Sequence, residues 1–131
     1  MAKNIPTDRF FTKDHEWIKD HKEYALIGIT DYAQRCLGDV VYVEMPKIGS
    51  SITKGQALGV VESIKAVSDI YAPVSGVVIE VNQNVINNPQ LINSDPYENG
   101  WLLKIQAHNT NFSQEALSHQ QYEEILNKEA K

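Results

Sequence analysis

The sequence echoes itself on either side of one lysine. Gly38-Asp39-Val40-Val41-Tyr42-Val43 returns as Gly76-Val77-Val78-Ile79-Glu80-Val81, and Ile52-Thr53-Lys54-Gly55-Gln56-Ala57-Leu58 returns as Val85-Ile86-Asn87-Asn88-Pro89-Gln90-Leu91, with Lys65 between the copies. The first pair is rich in β-branched residues, which fit a pleated, half-buried surface. Two copies are too few to stack as a solenoid. The pattern therefore predicts a mainly β fold in which a pair of pseudo-equivalent small sheets packs face to face as a sandwich.

The stretches around the echo extend this frame to one domain over 1–131, with a core over about 9–106. Residues 9–29 read as strand, turn, strand, the polar Lys19-Asp20-His21-Lys22-Glu23 separating Trp17-Ile18 from Tyr24-Ala25-Leu26-Ile27-Gly28-Ile29. Thr30 is an N-cap for a short helix over 31–37, in which Ala33, Cys36 and Leu37 fall on an inward face and Gly38 ends it. Val40–Val43, Ile52, Ala57–Val61, Val67–Tyr71 and Val77–Val81 read as strands. Val85-Ile86 and Leu91-Ile92 read as two more apolar pieces of the same kind. Asn99-Gly100 signals a hairpin into a last strand, Trp101–Ile105. Ser118 with Gln121 forms a capping box for a C-terminal helix within about 113–128, its Tyr122, Ile125 and Leu126 on one face and its end past Asn127 expected to fray.

Charge and motif content exclude several functions. Seventeen acidic against twelve basic residues give a net charge of −5, the wrong sign for gripping nucleic-acid phosphates. No apolar run approaches the roughly 20 residues that span a bilayer. Met1-Ala2-Lys3-Asn4-Ile5-Pro6 has neither a signal-type apolar core nor the arginines of a transit segment, so the expectation is a cytoplasmic monomer. Cys36 is the one cysteine, which precludes an intrachain disulfide. His15, His21, His108 and His119 are scattered without metal-ligand spacing. There is no Gly-x-Ser-x-Gly elbow and no phosphate-cradling glycine loop, and no side chain is expected to be catalytic.

That leaves Gly59 to Gly76, where two β-prone runs converge on Lys65. A lysine at a hairpin tip is by itself an ordinary solvated charge, and no Asn-Gly or Asp-Gly fixes this turn. Carboxylates at Glu16 and Asp69 are likewise solvated by default.

Longer motifs add what spacing does not. His15-Glu16-Trp17, Gly28-Ile29-Thr30-Asp31-Tyr32-Ala33-Gln34, Leu37-Gly38-Asp39-Val40-Val41-Tyr42-Val43, Glu62-Ser63-Ile64-Lys65-Ala66, Ser68-Asp69-Ile70-Tyr71, Pro73-Val74-Ser75-Gly76 and Leu91-Ile92-Asn93 through Asp95-Pro96-Tyr97 to Gly100-Trp101-Leu102 closely resemble the glycine cleavage H proteins, within the wider class of lipoyl and biotinyl carrier domains. The resemblance implies a flattened barrel of two small antiparallel sheets, with lipoate joined by an amide to Lys65 and Glu62, Ser63, Ile64 and Ala66 as the turn recognised by a lipoate ligase or lipoyltransferase. Biotin carriers flank their lysine with methionine. This chain has Ile64 and Ala66, which favours lipoate. The implied role is that of a non-catalytic shuttle: the arm takes an aminomethyl group from glycine decarboxylase, offers it to a tetrahydrofolate-dependent aminomethyltransferase, and is reoxidised by dihydrolipoyl dehydrogenase. Glu16 and Asp69 match acidic positions of a cleft that shelters the loaded arm. Asp14 stands where relatives often have serine, and the resemblance makes it a third acidic candidate for that cleft.

Other readings stay open at this level. A lipoyl domain of a 2-oxo acid dehydrogenase shares the Lys-Ala turn but lacks the N-terminal hairpin and the Asp95-Pro96-Tyr97 segment. An H-like lipoate relay is hard to distinguish by sequence. A thiol enzyme using Cys36 and a plain β interaction module without a cofactor are the readings from other classes.

Overall fold

A computed structural model describes residues 5–129. The reading of Met1 to Asn4 as lacking a targeting signal lies outside them. Among the described residues nine strands form two antiparallel sheets. The larger has the order β1-β2-β3-β9-β8-β5, with β1 Phe10–Phe11, β2 Glu16–Asp20, β3 Ala25–Ile29, β5 Ser51–Ile52, β8 Gly76–Val81 and β9 Leu103–Ala107. The smaller has the order β4-β6-β7, with β4 Val40–Glu44, β6 Ala57–Ser63 and β7 Val67–Tyr71. Inward residues of both sheets, among them Ile18, Ile27, Val78 and Ile105 from one and Val43, Val61 and Ile70 from the other, form one buried apolar cluster. Fully burying a side chain of this size contributes about 1.5–3 kcal/mol.

The local signals account for most elements. Thr30 caps helix α1, Asp31–Leu37, by accepting the Ala33 N–H at 3.2 Å. Gly38 closes it with φ +80° and ψ −161°, a conformation that side chains resist. The β2–β3 turn bends at Lys22, φ 73°, whose N–H reaches Asp20 Oδ1 at 2.7 Å. Ser118 and Gln121 make the expected reciprocal box at 2.9 and 3.2 Å.

Several expectations need correction. Val85-Ile86 and Leu91-Ile92 are helical, in α2 Gln83–Asn87 and α3 Leu91–Ser94. Asn82 starts the first of these by accepting the Asn84 N–H at 3.1 Å, Pro89 has no N–H to give a ladder, and Val85 and Ile92 still reach the core. The second copy of the echo is thus half strand and half helix, and the sheets hold six and three strands. Asn99-Gly100 forms no hairpin. Gly100 donates to Asp95 O at 2.8 Å, and a Cβ there would lie 2.6 Å from that oxygen, so glycine serves close approach.

The C-terminal helix is two pieces, α4 Phe112–Glu115 and α5 His119–Glu129. Between them Leu117 leaves the helix to exchange two backbone hydrogen bonds with Phe11, at 2.8 and 2.7 Å. Tyr122 and Leu126 are buried as expected, Ile125 is half-buried, and α5 continues past Asn127. Cys36, expected inward, is exposed. Leu37 is the residue of α1 that is buried, and Ala33 packs partly against the core one turn before it. This leaves Cys36 on the helix's flank.

Candidate functional site

The β6–β7 hairpin is tight without glycine. Ser63 donates its N–H to Ala66 O at 2.8 Å, and its hydroxyl accepts the Ala66 N–H at 3.1 Å. The serine side chain supplies what an Asn-Gly turn would gain from positive φ. Among the described residues only His15 and Lys22 are non-glycines with positive φ, so Ile64 and Lys65 turn the corner unstrained. Ile64 also donates its N–H to Asp39 O at 3.1 Å, stitching the turn to the start of β4. Lys65 and Ala66 are exposed, and Ile64 is 76% exposed.

Gly38 lies under the lysine. A Cβ at this position would sit 3.3 Å from Lys65 Cε, so the glycine that ends α1 also leaves room for the lysine stem. Asn93 holds this corner from below. Its Oδ1 accepts the Val40 N–H at 2.8 Å, and its Nδ2 donates to Gly38 O and to Gln34 Oε1, both at 2.9 Å. Sequence reading gave Asn93 no role, because its partners lie more than fifty residues away.

Glu16 opens β2 and is only 2% exposed. Thr12 Oγ1 donates to its Oε1 at 2.6 Å, and the Tyr71 N–H donates to its Oε2 at 3.2 Å. Burial pushes the carboxyl up to about 7, against these two hydrogen bonds, and the nearby charge of Asp14 adds to the rise. The bend before Glu16 carries His15 at φ 70°. Its Nδ1 is 2.8 Å from the Tyr122 hydroxyl, which is also 2.8 Å from Thr30 Oγ1. Tyr122 stacks on Phe11 with ring centroids 4.7 Å apart. Helix α5 thereby braces the bend.

A cleft of about 320 Å³ runs beside the Lys65 turn, from Ala66 along β7 to α1. Asp14, Glu16 and Asp69 all line it. The three acidic candidates thus share one wall system, with Asp14 and Asp69 exposed and Glu16 buried. Cys36 and Tyr32 line the α1 side, which sequence reading missed by turning Cys36 inward. Among the described residues no group of three or more His, Cys, Asp or Glu is arranged to hold a metal ion.

An exposed lysine on a stapled hairpin, joined to a sandwich of two antiparallel sheets, defines a carrier domain of the lipoyl and biotinyl type. The comparisons with known proteins narrow this. The family model for the glycine cleavage H-protein matches residues 9–129. A glycine cleavage system H protein of Carboxydothermus hydrogenoformans is 50% identical over 125 residues, covering 95% of this chain and 96% of the relative. One from Thermus thermophilus is 49% identical over 127 residues, covering 97% and 99%. The crystal structure of a glycine cleavage system H protein from Mycobacterium marinum superposes with a TM-score of 0.84 at 37% identity, covering 97% of this chain and 100% of that one. The chain belongs to the glycine cleavage H-protein family. It is therefore a lipoyl-carrying shuttle of the glycine cleavage system, a carrier and not an enzyme.

Proposed function

We propose that Lys65 is the lysine that bears lipoate, and that the cleft of Asp14, Glu16 and Asp69 receives the far end of the loaded arm. The observation that carries this reading is the adjacency of an exposed lysine and an acidic cleft, with Ala66 belonging to both the turn and the cleft wall. The residues fit the group: the ε-amine stands on a turn an attaching enzyme can reach, the stem has its space over Gly38, and the cleft begins at Ala66, the residue after the lysine.

When bound, lipoate supplies a disulfide that opens to carry an aminomethyl group from glycine decarboxylase to the aminomethyltransferase and is restored by dihydrolipoyl dehydrogenase. The chain's own residues position and shelter. Ser63 and Asp39 hold the turn so that Lys65 is offered in one geometry. The carboxylates of the cleft attract a cationic end group: at 4 Å a carboxylate and an ammonium interact by about 4 kcal/mol at an effective dielectric of 20, against about 1 kcal/mol in bulk water. Thr12 and Tyr71 keep Glu16 aimed while burial holds its pKa near neutrality, so its charge is available from about pH 7 upward. Tethering gives each docked enzyme a local substrate concentration on the order of millimolar. The partners in this reading are glycine decarboxylase, the aminomethyltransferase, dihydrolipoyl dehydrogenase and a lipoate ligase or lipoyltransferase. Among the described residues no helix is long and apolar enough to cross a membrane.

Intact-mass measurement of protein from lipoate-supplied cells tests the attachment. Wild type gains one lipoyl increment and Lys65→Arg gains none; an equal increment on both would move the site elsewhere.

A further inference from the structure

We propose that the outward face of the β4-β6-β7 sheet docks the enzyme that acylates Lys65, and that this enzyme meets it with a basic patch containing an apolar depression. The inference rests on Lys65 being the attachment point.

The strand registers set Tyr42, Glu62 and Val67 in one cross-strand row and Glu44, Val60 and Asp69 in the next. Their inward neighbours Val43, Val61 and Ile70 are buried in the core, so both rows face outward. The first row adjoins the Lys65 turn. Tyr42 is 47% exposed and Val67 68%, and Ile64 continues this apolar strip onto the turn itself. Apolar groups thus alternate with the three carboxylates of Glu44, Glu62 and Asp69.

No Lys, Arg or His occurs in any of the three strands. Among the described residues Glu44, Glu62 and Asp69 form no ion pair, whereas Asp8, Asp31, Glu80, Glu98 and Glu115 each do. Apart from Lys65 at its margin, the face is therefore acidic, with exposed apolar anchors and no basic side chain in its own strands. Charge complementarity calls for lysines and arginines opposite it.

Reach identifies which basic partner. An acylating enzyme must bring its activated carbonyl to an amine that stands only a four-carbon stem from the backbone. Its surface must then lie against residues bordering the turn, among which Ile64, Val67 and Tyr42 are the exposed apolar ones. An enzyme that handles the distal end of a completed arm is free to dock further off.

The test uses purified lipoate ligase with lipoate and ATP, following acylation of Lys65 by intact mass. Glu44 and Tyr42 are the probes, since neither lines the cleft. Glu44→Lys is expected to lower kcat/KM roughly tenfold at low salt, mostly through KM, with the deficit shrinking as ionic strength rises past about 0.5 M. Glu44→Gln should fall between it and wild type. Tyr42→Ser should lose about fivefold at every salt concentration, because its contribution is contact area. Thermal melts close to wild type verify folding. Wild-type kcat/KM in folded Glu44→Lys and Tyr42→Ser would overturn the docking face while leaving Lys65 as the attachment point. A wild-type chain that takes no lipoyl group at Lys65 would overturn both.

Discussion

The backbone N–H of Tyr71 donates to Glu16 Oε2 across 3.2 Å, joining the last residue of β7 to the first residue of β2. The contact links the two sheets through a carboxyl group rather than through apolar packing. It makes the edge of the cleft sensitive to the protonation of one buried side chain.

The stability of the fold should register that protonation. Glu16 has a folded pKa of about 7, above its ordinary 4.5. A carboxyl raised in this way binds its proton more tightly in the folded than in the unfolded chain. Its contribution is therefore fully present below pH 4.5 and is lost as pH rises through 7. At about 1.4 kcal/mol per pKa unit the loss is roughly 3 kcal/mol. Urea unfolding of Glu16→Gln beside wild type, from pH 5 to pH 8, should give a difference that moves in favour of the variant as pH rises; a pH-independent difference would contradict the buried, proton-binding role.

Once fully lipoylated, Glu16→Gln and Asp69→Asn carriers should lose the aminomethyl group several-fold faster than wild type at pH 8. Asp69 is exposed, so its replacement should matter less than that of Glu16, where solvent screening is weaker. Equal lifetimes for both variants and wild type, followed by mass spectrometry, would remove the cleft from the mechanism.

Gly38→Ala tests the floor beneath the lysine. With φ +80° and ψ −161° a side chain is strained by about 2 kcal/mol. The added methyl would also press on the Lys65 stem at 3.3 Å. Lower stability together with slower acylation is expected, and normal acylation in a destabilised but folded variant would limit Gly38 to its capping role.

Asn93→Ala removes three hydrogen bonds that clamp Gly38, Val40 and Gln34. Unsatisfied partners at such a site cost about 1–3 kcal/mol each when buried, and Val40 is buried. Hydrogen exchange should quicken first at the Val40 and Ile64 amides, since Asp39 ties the Lys65 turn to this corner. Protection equal to wild type at Ile64 would show that the turn stands independently of Asn93.

What could be read in the sequence was local. Val40–Val43 declares a strand by its own β-branching, and Thr30 and Ser118 declare helix starts within three residues of themselves. Val85-Ile86 failed because a short apolar pair suits a strand or one helical turn equally well, and the deciding group, Asn82, acts through its cap and through bonds to Asn99 O and Trp101 O. Cys36 failed because a seven-residue helix leaves its facing to a one-residue choice, which Leu37 took. At the Lys65 turn the Ser63 hydroxyl does the work of a glycine signal that the sequence lacks. Glu16 and Asp69 were singled out by family likeness, and no spacing rule joins residues 53 positions apart; their shared cleft is a product of tertiary folding.

The brace at Tyr122 bears on how the molecule is born. A ribosome that has made residues up to 121 has already supplied Glu16, Lys65 and Asp69, yet not the phenol that fastens His15 and Thr30. The acidic bend therefore acquires this anchor only after Glu16, Lys65 and Asp69 have all been made, so the cleft's charges precede the brace that fixes them.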